Sequence, residues 1–335
     1  MLFATALILI GLFSLGSIYA FILKAGGQVR VSVVARSNAL VLKEKGLSLR
    51  SRKFGNHDGV KFHAVFTDCN EAAKSGISFA YVVCVNKAIL DSTPSMEDML
   101  QPVIGPDTVI VLIQNGVGQE VSLREAFPKT TIIASVSWTG GTILDVGLVE
   151  LFTKSDTLVL GVEWDENIPR ERQQKHLDTF TDILKKSNAK FTVKEDIQQE
   201  RWVKVIWNAV WNSLTALTRI RTSDFLMTSP AAKSVAESIV VETMNVAKAR
   251  GIILPENTLE EMMQKYTTLK GSHSSMLVDA LNMKQTEVEA IIGYPLREGI
   301  RLGVPTPTLN VIYALLKAMD WKHANPEAAR LDSCT

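Results

Sequence analysis

The sequence predicts an α/β protein: a doubly wound, Rossmann-like sheet at the N-terminal end, followed by an all-helical C-terminal domain. Three observations predict it. Short, continuous apolar runs alternate with helical or loop segments as far as about residue 195. The first run leads into a glycine-bounded turn, Gly11-Leu-Phe13-Ser14-Leu15-Gly16. Beyond residue 195 strand-like runs stop, and the apolar pattern takes the helical period. At 335 residues two domains are the default expectation. The boundary is placed near Asp196, with domains 1–195 and 196–335.

Residues 6–10 (Ala-Leu-Ile-Leu-Ile) contain no polar side chain, as a strand buried on both faces requires. Residues 14–25 read as a helix closed by Gly26-Gly27. Val29-Arg-Val-Ser-Val-Val-Ala35 alternates and is the second strand. Together they make one βαβ unit. The lack of charge from residue 1 to 23 also suits a membrane span or signal anchor. Against that stand the missing basic leader, Gly11 and Gly16, and the strand that follows at once. Later strands are expected at Phe79–Val85, Thr108–Ile113, Thr131–Ser135, Thr157–Gly161 and, last, Lys190–Lys194. Such a series suits a mostly parallel sheet covered on both faces. Helices are expected over Ile197–Arg219, Ala231–Arg250, Leu259–Leu269, Gln285–Leu302 and Pro307–Ala318.

Composition narrows the function. The formal net charge is +1 and no Lys/Arg-rich run exists, so neither nucleic acid nor an acidic membrane surface is an expected partner. Cys69, Cys84 and Cys334 form no CxxC and no metal spacing, and the five histidines are scattered. No metal site is expected, and a reducing, cytoplasmic setting is.

The chemistry concentrates in Lys204-Val-Ile-Trp-Asn208-Ala-Val-Trp-Asn212. Spacing of four puts Lys204, Asn208 and Asn212 on one face of a helix. The residues between are apolar, so the helix is expected to be buried. Burying unpartnered polar groups costs roughly 2–7 kcal/mol each in an apolar medium. A small polar ligand would supply the partners; a network closed by other side chains is the alternative. This helix opens the second domain, so the expected ligand site is the cleft between domains.

The turn at residues 11–16 has the frame of a dinucleotide fingerprint, with Phe13 where the middle glycine belongs. The second strand ends at Arg36, twenty residues after Gly16, where an acid would bind a ribose hydroxyl and an arginine suits a 2′-phosphate. An ordinary solvated arginine is the other reading. Gln114-Asn115-Gly116-Val-Gly118 follows the 108–113 strand, and Lys87 follows the 79–85 strand. Both are carboxyl ends of strands, where open α/β sheets bind ligands.

Taken together, these residues resemble the ketopantoate reductase (2-dehydropantoate 2-reductase) family. The resemblance rests on Gly11…Gly16, Arg36, Lys87, Asn115-Gly116-Val-Gly118 and the Lys204…Asn208…Asn212 block. It continues through Ser274-Ser275-Met-Leu-Val-Asp279, Thr286-Glu287-Val-Glu289 and Gly303-Val-Pro-Thr-Pro-Thr. It implies NADPH-dependent reduction of a 2-keto acid in pantothenate biosynthesis, with hydride passing from NADPH/NADP+ chemistry to the keto carbon. By similarity Lys204 is the catalytic lysine and Glu287 the acid beside it. Asn115, Asn208, Asn212 and Ser275 match substrate-contacting positions. Gly11, Phe13, Ser14, Leu15, Gly16, Arg36, Lys87 and Asn115 match the cofactor side. Two departures fall there: Phe13 for glycine, and Leu90 for a frequent glutamine. Reduction of another keto acid such as 2-ketoisovalerate, or a non-catalytic ligand-binding descendant, stays open. So does assembly as a homodimer.

Overall fold

The computed structural model describes residues 5–153, 157–268 and 273–327. The chain divides into two compact units. One holds Met1–Lys87, Ser92–Gln114 and Glu120–Ile197; the other holds Ala88–Asp91, Asn115–Gln119 and Gln198–Thr335.

In chain order the strands are β1 (Thr5–Ile10), β2 (Val29–Val34), β3 (Leu47–Ser51), β4 (His57–Val60), β5 (Ala64–Phe66) and β6 (Tyr81–Cys84). Then come β7 (Val109–Leu112), β8 (Ile132–Ser137), β9 (Gly141–Asp145), β10 (Leu148–Leu151), β11 (Leu158–Val162) and β12 (Phe191–Val193). Between them run α1 (Ser14–Ala25), α2 (Ala39–Glu44), α3 (Cys69–Lys74), α4 (Met96–Leu100), α5 (Gln119–Ala126) and α6 (Arg170–Lys186). The main sheet has the order β12-β11-β8-β7-β6-β1-β2-β5. Its pairings are parallel except β8 with β11.

Strand β1 shows why the run at residues 6–10 has no polar member. Leu7 and Leu9 enter one core with Ile18, Tyr19 and Ile22 of α1 and with Phe180 of α6. Ala6, Ile8 and Ile10 enter the opposite core with Cys69 and Ala72 of α3 and with Leu123 and Phe127. A sheet covered on both faces needs both sets apolar. Residues 5–25 are therefore a sheet strand and a 12-residue helix. Among the described residues no helix is long and apolar enough to cross a membrane. Because β1 lies between β2 and β6, the order reverses there, at the carboxyl ends where such sheets bind ligands.

A second sheet, β4-β3-β10-β9, was not expected from the sequence. Its strands are short and partly exposed, and β3 pairs with β10 from far along the chain. Leu47-Ser-Leu-Arg-Ser alternates buried with half-buried residues.

The second unit is helical among its described residues: α7 (Ile197–Thr218), α8 (Thr222–Phe225), α9 (Pro230–Ala249), α10 (Thr258–Thr268), α11 (Ser275–Leu281), α12 (Tyr294–Leu302) and α13 (Pro307–Ala324). A π-helical turn, Glu289–Gly293, leads into α12. The expected helix at Gln285–Leu302 begins late, and α11 was not foreseen. The N–H and hydroxyl of Thr286 donate to the Asp320 carboxylate at 3.1–3.2 Å, which holds the backbone before Val288 out of the helix. Helix α13 runs past residue 318 to Ala324. Leu269, the expected end of the helix before α11, and Cys334 lie outside the described residues.

Candidate functional site

Helix α7 is buried almost all round, as its composition demands. Val205, Ile206, Ala209, Val210 and Trp211 are buried. Its hydroxyls fold back on the helix: Thr215 and Thr218 donate to the carbonyls of Trp211 and Leu214 at 2.6 Å. On the remaining stripe stand Lys204, Asn208 and Asn212. Asn208 is 5% exposed, and its Nδ2 has no hydrogen-bond partner. An unsatisfied buried donor costs about 1–3 kcal/mol, so this amide is suited to a ligand acceptor. Asn212 Nδ2 reaches the Ser275 hydroxyl at 3.4 Å. Ser274 caps α11: it accepts from Leu277 N at 3.0 Å and pairs with the Thr215 hydroxyl at 2.7 Å. Ser275 is left exposed.

Lys204 is half-buried on this stripe. Burial brings its pKa down to about 8, and the Glu287 carboxylate opposes that fall. Glu287 is 4% exposed. Its Oε1 accepts from the Ala88 N–H at 3.1 Å and its Oε2 from Asn115 Nδ2 at 3.2 Å. Lys204, Glu287 and Asn115, far apart in sequence, thus belong to one unit.

The loop Asn115–Gln119 owes its glycines to close packing. Gly116 has φ +85° and a Cβ there would lie 2.5 Å from the Ala290 Cβ. Gly118 has φ +101° and a Cβ would lie 2.4 Å from the Tyr294 ring. Val117 N donates to Ala290 O at 3.0 Å. Buried Arg201 donates to Gly116 O at 3.2 Å and to Gln119 Oε1 at 3.1 Å. The π-helical turn and α12 therefore press directly on the loop that carries Asn115.

In the first unit, Gly11 follows β1 with φ +96°, and a Cβ there would sit 2.4 Å from Asn86 backbone. At Gly16 a Cβ would meet the Gly11 carbonyl at 1.9 Å, so both glycines are required by approach. Phe13 is different. It is the N-cap of α1 at φ −85°, allowed to any residue, and it is 47% exposed. Its ring stands out from the turn. Ser14 and Leu15 open α1, and Asn38 Nδ2 braces the turn by donating to Leu12 O at 3.2 Å. Arg36 is exposed just past β2. Lys87 lies beyond β6, next to Asn86.

Sequence reasoning missed several groups. The Asn86 Oδ1 and Gln114 Oε1 are buried acceptors without a partner, at the carboxyl ends of β6 and β7. Gln114 donates its amide to Asn86 O at 2.9 Å. Its place beside Asn115-Gly116 was the available signal. Arg201 was marked by lying three residues before Lys204 on α7. The Ala88 N–H had no signal, since backbone carries none. Among the described residues no group of histidine, cysteine and carboxylates is placed to hold a metal. Burial raises the thiols of Cys69, to about 12, and of Cys84, which suits core residues rather than nucleophiles.

Known proteins resemble this chain over most of its length. Residues 7–163 match the family model described as ketopantoate reductase PanE/ApbA, and residues 196–320 match its C-terminal counterpart. A 2-dehydropantoate 2-reductase of Nostoc is 25% identical over 316 residues, 94% of this chain and 95% of that one. The crystal structure of 2-dehydropantoate 2-reductase from Methylococcus capsulatus is 28% identical with a TM-score of 0.81, covering 95% of this chain and 98% of that one. A D-mandelate dehydrogenase solved with NADH and anilino(oxo)acetate shares the fold, with a TM-score of 0.80 at 21% identity over 96% of this chain and 99% of that one. With both of its parts matched, the chain belongs to the ketopantoate reductase family of oxidoreductases.

Proposed function

We propose that this protein reduces 2-dehydropantoate to pantoate with NADPH. The observation that carries the reading is Lys204, its pKa brought to about 8 by burial, beside Glu287 and on one helix face with the unpartnered Asn208 amide. The Gly11–Gly16 turn suits a pyrophosphate, since it lies at the sheet's switch point and leads into the N-terminal end of α1. The buried acceptors of Asn86 and Gln114 suit a carboxamide N–H, and Arg36 suits a 2′-phosphate. Ser14, Leu15 and Lys87 complete the cofactor side, with Phe13 turned outward.

When bound, a reduced nicotinamide supplies the hydride that reaches the keto carbon. Negative charge then develops on the carbonyl oxygen. The Lys204 ammonium stabilises that oxygen and gives it a proton, then regains one from solvent. Near neutral pH the lysine is mostly protonated yet gives up its proton far more readily than an ordinary lysine. Glu287 keeps the ammonium charged and aimed. Asn208, Asn212, Ser275 and Asn115 hold the substrate's carboxylate and hydroxyl.

The fold shared with a D-mandelate dehydrogenase favours one second reading, reduction of a different 2-keto acid. Oxidation of NADPH and of NADH, followed with ketopantoate, 2-ketoisovalerate and benzoylformate, tests both. The first reading expects kcat/KM greatest for NADPH with ketopantoate. Greater turnover of another keto acid replaces it with the second. No oxidation with any pair, together with no cofactor binding, refutes both.

A further inference from the structure

Helix α13 presents Tyr313, Lys317 and Asp320 at spacings of four and three, on one face. Each holds a segment next to Glu287. Asp320 accepts from Thr286, the residue before it. Tyr313 donates to Glu289 Oε1 at 2.8 Å, and Arg297 donates to Glu289 Oε2 at 2.6 Å. Lys317 makes two links. Its Nζ lies 3.0 Å from Glu289 Oε1 and 2.5 Å from Asp91 Oδ2. Asp91 ends the short segment Ala88–Asp91, whose first N–H donates to Glu287.

We propose that Lys317 is a positioning residue for the Lys204–Glu287 pair: by fastening Asp91 to Glu289 it holds the Ala88 N–H on the Glu287 carboxylate. The proposal rests on the reading of Lys204 as proton donor. An isolated surface ion pair contributes little, about 0–1 kcal/mol. Lys317 bridges two carboxylates, and Glu289 is 4% exposed. Burial would lower the lysine's pKa, but the hydrogen bonds to Asp91 and Glu289 outweigh it and the pKa is raised. The same bonds, with those of Arg297 and Tyr313, bring Glu289 down against its burial. The ionisable groups around Lys317 are thus Asp91, Glu289, Arg297, Tyr313, Asp320 and, beside Asp320, His323. Without Lys317, Glu289 keeps Arg297 and Tyr313, whereas Asp91 keeps only a 3.5 Å contact from Gln285 among the bonds described. The loss therefore falls on the segment 88–91 rather than on the buried core.

The test is the pH profile of kcat/KM for ketopantoate with NADPH, from about pH 6.5 to about 10. The proteins are wild type, Lys317→Met, Lys317→Arg and Asp91→Ala. Asp91→Ala touches no buried group and guards against a folding failure in Lys317→Met. A less well placed Glu287 attracts the ammonium less, so Lys204 loses its proton at lower pH. The alkaline limb should move down by about half a unit in Lys317→Met and Asp91→Ala, with about twofold lower activity near pH 8 and about threefold lower well above it. Lys317→Arg should restore it. A purely structural lysine would change stability and leave the limb in place, and an unmoved limb in both variants overturns the positioning role alone. A wild-type profile without an alkaline limb overturns the Lys204 reading, and this proposal with it.

Discussion

Glu287 Oε1 accepts a hydrogen bond of 3.1 Å from the backbone N–H of Ala88, 199 residues earlier in the chain. Backbone donates here, so no side-chain change at residue 88 other than to proline removes the donor. The role of the acid has to be tested at Glu287 and at the lysine it faces.

Turnover should fall as pH rises through about 8, because burial lowers Lys204 to that value and the protonated form is the donor. Lys204→Ala should cut kcat by about 100-fold or more, the scale of a lost general acid. Cofactor binding should change little. Glu287→Gln keeps a hydrogen-bond acceptor and removes the charge that opposes the fall, so its alkaline limb should lie at lower pH. Steady-state rates against pH check all three statements, and unchanged turnover in Lys204→Ala refutes the assignment.

Arg36→Ala should narrow the preference for NADPH over NADH by weakening NADPH alone. The basis is an exposed arginine just beyond β2 with no acid at that strand end. The ratio of kcat/KM for the two cofactors measures it. Equal use of both by the wild-type protein contradicts the reading.

Phe13→Gly should leave NADPH affinity nearly unchanged, because the outward ring leaves no clash of the roughly 1–3 kcal/mol kind to relieve. The ring is 47% exposed and the backbone at φ −85° does not need glycine, so thermal stability should also change little. Isothermal titration of both forms decides it. Tighter binding by the glycine variant means that the ring does obstruct the pyrophosphate.

Gly118→Ala should destabilise the protein by roughly 1–3 kcal/mol or more, since it adds overpacking against Tyr294 to a left-handed backbone. Gly27→Ala is the control. Gly27 has φ +66° with nothing within 4 Å, so only backbone strain of about 1 kcal/mol applies. Urea denaturation of the two variants should rank them in that order.

Much of the fold was legible because its signals are local. The polar stripe of α7 follows from spacing of four within one helix, and β1 from a run apolar on both faces. The second sheet was not legible, because β9 is largely exposed and β10 finds its parallel partner β3 many strands and helices earlier in the chain. The start of the helix leading into α12 was misread for a similar reason: a carboxylate on α13, Asp320, takes the Thr286 N–H.

By itself the sequence determined which residue types exist where chemistry needs them: Lys204, Glu287, Asn208, the glycine turn and Arg36. Periodicity and turn chemistry are properties of neighbours along the chain, so they can be read there. The tertiary structure alone decided that Glu287 hangs between the Ala88 N–H and Asn115, and that burial brings Lys204 down to about 8. It also decided that Gly116 and Gly118 are glycine because Ala290 and Tyr294 press on them. Desolvation, long-range hydrogen bonds and close approach depend on atoms brought together from distant segments, and no local pattern records them.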